Sequence, residues 1–309
     1  MAYNLKEQMS KPERFEAGHR LCAGCGAGIT CRAMMRAMEP GDKAVICNAT
    51  SCLEVSSFQY PFTAWDDSYI HAAFENTSAV AAGVESAYKV MKKKGKIQDN
   101  FKIVSIGGDG GTYDIGFQSL SGALERGHDF TYFCYDNEAY MNTGTQRSSA
   151  TPRFASATAT PAGVESVGKK QNPKDLTQIV VAHGSPYVAQ TTFLGNFKDF
   201  HEKAHKAIYT EGPTFVNVLC PCPRGWQYSA ELLPEICRLA VDTCIWPLYE
   251  VENGEYHLTY MPKKKLPVEE FMKLQGRFRH CFKPGNEWTI EAAQNYVDEK
   301  WEALLAKCK

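Results

Sequence analysis

Short apolar runs alternate with segments of helical periodicity along most of the chain. Runs of about four to eight apolar residues between turn residues predict buried strands, and apolar residues at every third or fourth position predict helices. The predicted strands are residues 43–47, 103–106, 130–135, 187–190 and 214–219. The predicted helices are residues 29–38, 79–93, 115–127, 176–183 and 197–209. This alternation is typical of the α/β class, so we expect a doubly wound, mostly parallel sheet with helices on both faces.

Two segments of the first 245 residues depart from this alternation. Residues 1–20 lack strong periodicity and are predicted to form an arm. Residues 144–175 are rich in Ser, Thr, Ala, Gly and Pro, and they are predicted to form one long loop. Because a loop of this length in a compact domain is usually functional, we expect it to cover a bound cofactor.

The pattern changes beyond about residue 245. A hairpin is predicted over residues 248–260, with Asn253-Gly254 at its turn, and an amphipathic helix over residues 289–307. We therefore predict one domain over residues 1–245. Residues 246–309 are predicted to form a C-terminal extension that packs on partner subunits.

Composition excludes several classes of protein. Of the 309 residues, 44% are hydrophobic and 22% are charged, which indicates a globular chain. The net charge of −1 gives no electrostatic basis for binding nucleic acid. No apolar stretch approaches the roughly 18 residues of a membrane span, and the first residues lack the apolar core of a signal peptide. We expect a cytoplasmic protein without membrane contact, in which the twelve cysteines are thiols and metal ligands rather than disulfides.

Polar residues follow two of the predicted strands. The strand at 103–106 ends in Gly107-Gly108-Asp109-Gly110-Gly111, and the strand at 130–135 ends in Asp136-Asn137. Ligands of α/β sheets collect at the carboxyl ends of strands, so Asp109 and Asn137 can meet there if the strands are neighbours. The glycine run is not the dinucleotide fingerprint, because Tyr113 stands where G-x-G-x-x-G needs its last glycine.

A diphosphate held through Mg²⁺ would use this arrangement. Mg²⁺ prefers octahedral oxygen ligands, which Asp109 offers as a carboxylate and Asn137 as an amide oxygen. We choose the backbone carbonyl of Ala139 as a third ligand. The glycines allow backbone N–H groups to approach the phosphates closely.

Two sequence blocks carry a family resemblance. Gly-Asp-Gly, followed by 26 residues and Asn, is similar to the thiamine diphosphate (TPP) motif. The blocks GGDGGTYDIGFQSLSGALERGHDF and YDNEAYMNTGTQRSSATP resemble the beta subunit of the 2-oxoacid:ferredoxin oxidoreductases, the family of pyruvate:ferredoxin oxidoreductase (pyruvate synthase). The resemblance extends from about residue 18 to residue 283. It implies the fold of a TPP pyrophosphate-binding domain, with TPP and Mg²⁺ as cofactors.

The resemblance also implies roles for individual residues. Asn142 is expected to touch the substrate or the thiazolium ring and is the candidate catalytic residue. The expected cofactor contacts are Ser51, Gly108, Asp109, Gly110, Gly111, Asn137, Tyr140, Asn142 and Thr143. The expected magnesium ligands are Asp109, Asn137 and Ala139.

Four cysteines are predicted to converge. Their contexts, CAGCG, NATSCLEV and LCPCPRGW, match the cluster-binding cysteines of the same family, and this implies a [4Fe–4S] cluster. The predicted ligands are Cys22, Cys25, Cys52 and Cys222. A structural zinc would use the same four ligands, and spacing alone does not exclude it. Cys220 is the main rival of Cys222, which we prefer because it precedes Pro-Arg-Gly as in the family.

The reaction implied by the resemblance is oxidative decarboxylation of a 2-oxoacid. When the 2-oxoacid is pyruvate, the reaction reversibly converts pyruvate, coenzyme A and oxidised ferredoxin into acetyl-CoA, CO₂ and reduced ferredoxin. Another 2-oxoacid or oxalate is the alternative within the family. Outside it, a non-redox TPP decarboxylase or carboligase has no use for four cysteines, and an electron carrier would not need Asp109 and Asn137.

One part of a complete TPP site is missing from the sequence. TPP enzymes activate the aminopyrimidine of the cofactor with a glutamate from a second, pyrimidine-binding domain. One domain and an extension leave no room for that second domain in this chain. Three glutamates lie near the motifs, but we do not assign the activating role to any of them: Glu54, Glu75 and Glu138. The resemblance implies a site at an interface with an alpha subunit, and further partners of gamma and delta type, besides ferredoxin.

A second motif competes with this interpretation. Residues 201–205 fit H-E-x-x-H, the pattern of zinc proteases, on a predicted helix. We interpret His201 and His205 as ordinary histidines on the helix surface, because the possible third ligand, Glu231, is separated from them by a predicted strand and the cysteine loop. His71 lies in a segment that resembles a family motif near the cofactor, and a satisfied core histidine is the alternative interpretation.

Overall fold

The computed structural model describes residues 4–308. Within this range, eight strands form one sheet in the order β10-β9-β7-β8-β6-β5-β1-β4, and β2 and β3 form a small hairpin. The strands are β1 (Lys43–Ala49), β2 (Phe58–Gln59), β3 (Phe62–Thr63), β4 (Ser68–Ala72), β5 (Phe101–Gly108), β6 (Thr131–Asp136), β7 (Tyr187–Thr191), β8 (Thr214–Leu219), β9 (Tyr249–Glu252) and β10 (Glu255–Leu258). Six neighbouring strands pair in parallel, in the sheet order β7-β8-β6-β5-β1-β4. Strand β9 pairs antiparallel with both β7 and β10. The predicted α/β class with a mostly parallel sheet is confirmed.

Helices cover both faces of this sheet. They are α1 (Leu5–Ser10), α2 (Gly26–Met35), α3 (Cys52–Ser57), α4 (Thr77–Lys93), α5 (Phe117–Glu125), α6 (Leu176–Val181), α7 (Phe197–Tyr209), α8 (Pro223–Trp226), α9 (Leu233–Asp242), α10 (Val268–Met272) and α11 (Glu287–Lys307). None of the helices in the described range is long and apolar enough to cross a membrane.

The central strands bury both of their faces. In β6 all six residues are buried, and successive side chains enter opposite cores: Tyr132 and Cys134 pack in one cluster, Phe133 and Tyr135 in the other. Side chains of a strand alternate between the two faces of the sheet, so a strand covered on both sides must be apolar at almost every position. This explains why these strands are continuous apolar runs in the sequence.

Residues after 245 continue the sheet. The predicted hairpin forms β9 and β10, and β9 pairs with β7. The predicted final helix is α11, which buries Val297, Trp301 and Leu304 in the same core cluster as the central strands. The boundary after residue 245 stays a prediction, but the residues beyond it share the core of the preceding part.

The structure corrects the prediction at several elements. The N-terminal arm contains α1, the predicted set of strands omitted β4 at the sheet edge, and the predicted set of helices omitted α9. Residues 137–175 contain no regular helix or strand, so the predicted long loop is confirmed.

Candidate functional site

The carboxyl ends of β1, β5 and β6 surround a narrow cleft. All nine predicted cofactor-contacting residues line it, together with Cys52, Phe74, Tyr135, Ala139 and Met141. The residues meet because β5 pairs in parallel with β1 and with β6, so that all three strands end at the same edge. Asn142 and Thr143 are exposed at the rim, where a ligand can reach them, whereas Asp109 and Asn137 are buried.

The three predicted magnesium ligands face one another. One of the two terminal atoms of the Asn137 amide lies 2.8 Å from the Ala139 carbonyl oxygen and 3.0 Å from Asp109 Oδ1. When this atom is nitrogen, it donates hydrogen bonds to both oxygens. When it is oxygen, three oxygens converge without a donor between them, which is favourable only around a cation.

The surroundings of Asp109 disfavour the ionised form of its carboxyl group. The side chain is only 1% exposed, and Ser148 Oγ donates to its Oδ2 at 2.5 Å. Burial raises the pKa of Asp109 well above its usual range, and the nearby Asp136 carboxylate raises it further. Burial likewise raises the pKa of Asp136 to about 7. The ion-free site therefore favours protonated carboxyls, and a bound cation would favour their ionised form.

The glycines of the motif are required by close packing. A Cβ atom at Gly110 would lie 2.4 Å from the Tyr140 ring, and one at Gly111 would lie 2.8 Å from the backbone oxygen of Phe74. Residues Gly110–Ile115 form a turn of π-helix, a local distortion that is frequent at functional sites. The Tyr140 hydroxyl lies 3.1 Å from both the Gly110 carbonyl and Asp114 Oδ2. These contacts join the glycine run after β5 to the loop after β6.

The four predicted cluster cysteines lie within electrostatic range of one another. Cys22 and Cys25 form a turn in which the Cys25 N–H donates to the Cys22 carbonyl at 3.1 Å. This turn reaches the Cys222 segment, because the Gly26 N–H donates to the Pro221 carbonyl at 3.3 Å. Burial, together with the neighbouring cysteines, raises the pKa of Cys25 to about 11 and that of Cys52 to about 12.

Three of these cysteines occupy the N-termini of helices. Cys25 and Cys222 are the N-caps of α2 and α8, and Cys52 is the first residue of α3. The Cys222 sulfur accepts a hydrogen bond from the Gly225 N–H at 3.3 Å. Helix N-termini favour negative charge, so this arrangement suits thiolates.

The rival Cys220 has different surroundings. It is 1% exposed and packs in the apolar cluster that contains Val216 and Val218. Among residues 4–308, no group of three or more His, Cys, Asp and Glu side chains is placed to hold a metal ion.

Comparisons with known proteins show the family of the chain. Residues 21–218 match the family described as thiamine pyrophosphate enzyme, C-terminal TPP binding domain. The pyruvate synthase subunit PorB of Methanocaldococcus jannaschii is 51% identical over 299 residues, which are 96% of this chain and 98% of the relative. The chain belongs to the pyruvate synthase PorB family of TPP enzymes. The predicted family and the prediction of an oxidoreductase subunit are confirmed.

Further similarities extend the family. PorB of Thermotoga maritima is 49% identical over 313 residues, covering 99% of this chain and 96% of the relative. The ketoisovalerate oxidoreductase subunit VorB of Pyrococcus furiosus is 45% identical over 305 residues, covering 97% and 96%. A solved chain of the 2-oxoglutarate:ferredoxin oxidoreductase from Magnetococcus marinus has a TM-score of 0.58 at 22% identity, over 76% of this chain and 82% of that chain. The last similarity concerns the fold alone.

Some residues of this PorB-family site were not predicted. Ser148 bonds to Asp109 from the long loop, and Phe74 packs against Tyr140 with ring centroids 5.8 Å apart. Glu138 forms a buried ion pair with Arg277, with 2.5 Å between Oε2 and the guanidinium nitrogen. Ser148 lies in a segment without periodicity, and Arg277 follows 139 residues after Glu138, so no local pattern indicated either contact.

The histidines of the competing motif do not form a site. His205 Nε2 donates to Glu39 Oε1 at 3.0 Å, so His205 is an ordinary paired histidine near the surface. His201 was predicted on the surface but is 6% exposed, packed against Phe193 and Phe200, and burial lowers its pKa to about 4. His71 lies at the end of β4 and contacts the buried Glu54 at 2.6 Å.

Proposed function

We propose that this chain is the TPP-binding subunit of a pyruvate:ferredoxin oxidoreductase and that it also holds a [4Fe–4S] cluster. The observation that carries the proposal is a single cleft lined by all nine predicted cofactor contacts and by Cys52, one of the four cluster cysteines. Family membership supplies the class of reaction, the oxidation of a 2-oxoacid with ferredoxin as acceptor. The reaction with pyruvate, the cluster and the magnesium ion are the proposed parts.

The proposed magnesium ligands fit the ion. Neighbouring ligands of an octahedral Mg²⁺ lie about 2.9 Å apart, because each is about 2.1 Å from the ion. With the Asn137 amide oxygen turned to this position, its distances of 2.8 Å to the Ala139 carbonyl and 3.0 Å to Asp109 Oδ1 agree with this spacing; without an ion, the amide nitrogen takes the position and donates to both. Asp109, Asn137 and Ala139 would therefore hold Mg²⁺, and the backbone at Gly110 and Gly111 would face the diphosphate.

The four cysteines would supply the thiolate ligands of a [4Fe–4S] cluster, and the proposed redox reaction needs an electron acceptor. Each cysteine of such a cluster binds a different iron at a corner of a cube, so the sulfurs are held further apart than around zinc. Electrostatic interactions connect all four of them: Cys22, Cys25, Cys52 and Cys222. The raised pKa values of Cys25, Cys52 and Cys222 would fall on binding iron, because metal binding releases thiol protons.

The two proposed cofactor sites share an element. When bound, TPP supplies the decarboxylation chemistry and the cluster accepts electrons one at a time. Ser51 and Cys52 are consecutive, and both line the cleft, so α3 begins between the two sites. The chain's own residues orient the diphosphate through Mg²⁺ and keep the electron acceptor next to the reacting ligand, while Asn142 at the exposed rim would contact substrate.

Substrate choice is the part of the proposal that needs a direct assay. We favour pyruvate because the PorB relatives are more similar to this chain than the VorB relative is, at 51% and 49% against 45% identity. Dye reduction by the assembled enzyme with coenzyme A should be faster with pyruvate than with ketoisovalerate, 2-oxoglutarate or oxalate, compared as kcat/KM. A higher kcat/KM for any of the others would contradict the choice of pyruvate.

The cluster is tested by removing one ligand. The assembled enzyme purified without oxygen should lose the iron held by this chain, about four atoms, when Cys52 is replaced by Ser. Cys308→Ser is the matched control, because Cys308 follows the end of α11 and is not among the four neighbours. Iron and sulfide analysis with electron paramagnetic resonance measures the change.

The outcomes separate three interpretations. Zinc in place of iron in the parent enzyme would contradict electron transfer by these cysteines. Unchanged iron in Cys52→Ser would contradict the assigned ligand set, and Cys220→Ser then tests the rival. The proposal also includes alpha-, gamma- and delta-type partner subunits, and copurification from the source cells tests them. Coenzyme A binding and a cytoplasmic location remain part of the proposal.

A further inference from the structure

The loop that carries the proposed magnesium ligands contains a buried ion pair. Glu138 stands between Asn137 and Ala139 in the chain, and its Oε2 lies 2.5 Å from a guanidinium nitrogen of Arg277. Both side chains are buried, with residue exposures of 6% and 2%. Arg277 belongs to the 3₁₀-helix Gly276–Phe282, far along the chain in the predicted C-terminal extension.

Arg277 also reaches the same loop by a second route. Its guanidinium carbon lies 3.8 Å from the centroid of the Trp226 ring, a close cation–π contact. Trp226 Nε1 in turn donates to the backbone carbonyl of Asn137 at 2.8 Å. The guanidinium therefore holds the side chain of Glu138 directly and the backbone of Asn137 through Trp226.

The loop needs such support because its backbone is strained at one point. Glu138 has a φ of +63°, in the left-handed region that non-glycine residues rarely adopt. Its N–H donates to Asp136 Oδ1 at 2.9 Å, and its carbonyl accepts from Thr151 Oγ1 at 2.5 Å. The backbone N–H, the backbone carbonyl and Oε2 of Glu138 are thus all engaged, and the carboxylate is directed at Arg277.

We propose that Arg277 is a positioning residue that fixes Asn137 and Ala139 in the geometry required to bind Mg²⁺–TPP. This inference rests on the proposed function, since it assumes the magnesium site. The contact set, called here the Arg277 clamp, comprises Arg277, Glu138, Trp226 and Asn137. Because Cys222 is the N-cap of the helix that ends at Trp226, the clamp also joins the turn of a proposed cluster ligand to the magnesium loop.

The test measures cofactor binding instead of turnover. The assembled enzyme is depleted of TPP and Mg²⁺, and TPP binding is followed by calorimetry at several Mg²⁺ concentrations. Arg277→Met should raise the apparent Kd for Mg²⁺ about 10- to 100-fold, the usual effect of losing a residue that orients a metal ligand. Excess Mg²⁺ should restore TPP binding. Arg279→Met is the matched control, because Arg279 is exposed on the same 3₁₀-helix, and it should bind like the parent.

A second variant covers the case in which Arg277→Met fails to fold. Arg277→Met combined with Glu138→Gln removes both buried charges and keeps similar shapes, so no unpaired carboxylate is left inside. The same 10- to 100-fold increase in Kd is expected of it. An unchanged Kd in the folded double variant would overturn the clamp, as would a lower melting temperature of Arg277→Met with an unchanged Mg²⁺ Kd.

Asp109→Asn, measured alongside, separates this inference from the proposed function. If Asp109→Asn loses Mg²⁺-dependent TPP binding while both clamp variants retain it, the site stands and the clamp is wrong. If Asp109→Asn binds normally, the proposed site itself is wrong and the clamp is wrong with it.

Discussion

Replacing Asp109 by Asn is expected to abolish Mg²⁺-dependent TPP binding and to leave the cofactor-free chain at least as stable as the parent. The substitution removes the one charged ligand of the proposed ion, so we expect TPP affinity to fall by more than about 100-fold. It preserves the shape of a side chain that is 1% exposed, and Asn can still accept the hydrogen bond from Ser148.

The effect on stability has the opposite sign. The pKa of Asp109 is raised in the folded chain by burial and by Asp136. A carboxyl group whose pKa is higher folded than unfolded destabilises the folded state above its unfolded pKa of about 3.9, because ionisation is easier after unfolding. At neutral pH the neutral Asn removes this cost. Gain of apparent stability with loss of cofactor binding is the signature of a site built for a cation.

Thermal unfolding with and without Mg²⁺–TPP measures both effects. TPP at 100 times its Kd should stabilise the parent by about 2.7 kcal/mol, and it should not stabilise Asp109→Asn. Asp99→Asn is the matched control, since Asp99 forms an exposed pair with Lys43 at 2.7 Å. Normal TPP content in folded Asp109→Asn, or in the more drastic Asp109→Ala, would show that the ion binds elsewhere.

The strands around the cleft could be predicted because burial on both faces leaves a strong signal. Residues 103–106 and 130–135 are almost wholly apolar, and they form β5 and β6 in the centre of the sheet. The edge strand β4 was not predicted, because Ser68–Ala72 is mostly half-buried or exposed and lacks an apolar run. Burial on both faces thus revealed the central strands, whereas the other edge strand, β10, was predicted from the Asn253-Gly254 turn of its hairpin.

Contacts between distant segments could not be predicted in the same way. Asp109 and Asn137 were recognised because each follows a strand, and neighbouring parallel strands end at one edge. Ser148 and Arg277 lie outside any periodic segment, and their partners Asp109 and Glu138 are 39 and 139 residues away. Local patterns thus indicate the residues that would bind the ion, whereas the residues that hold those ligands in place emerge only from tertiary packing.

This chain alone is expected to give no 2-oxoacid-dependent turnover, even with both cofactors loaded. Activation of TPP needs a carboxylate held against the aminopyrimidine. Two of the three glutamates near the motifs are already paired in the structure, Glu54 with His71 at 2.6 Å and Glu138 with Arg277 at 2.5 Å. Apart from the small β2–β3 hairpin, residues 4–308 form a single sheet, which provides one side of the cleft.

The assay compares this chain, reconstituted with iron, sulfide, Mg²⁺ and TPP, with the assembled enzyme in pyruvate-dependent reduction of a viologen dye. The assembled enzyme should turn over on the order of 1 to 1000 times per second, and the isolated chain should stay at the background rate. TPP binding by the isolated chain is the control for a competent site, because Asp109, Asn137 and Ala139 all belong to it. Turnover by the isolated chain at the rate of the whole enzyme would place the activating carboxylate within it. Glu75, which is exposed beside Phe74 of the cleft, would then be the first residue to replace by Gln.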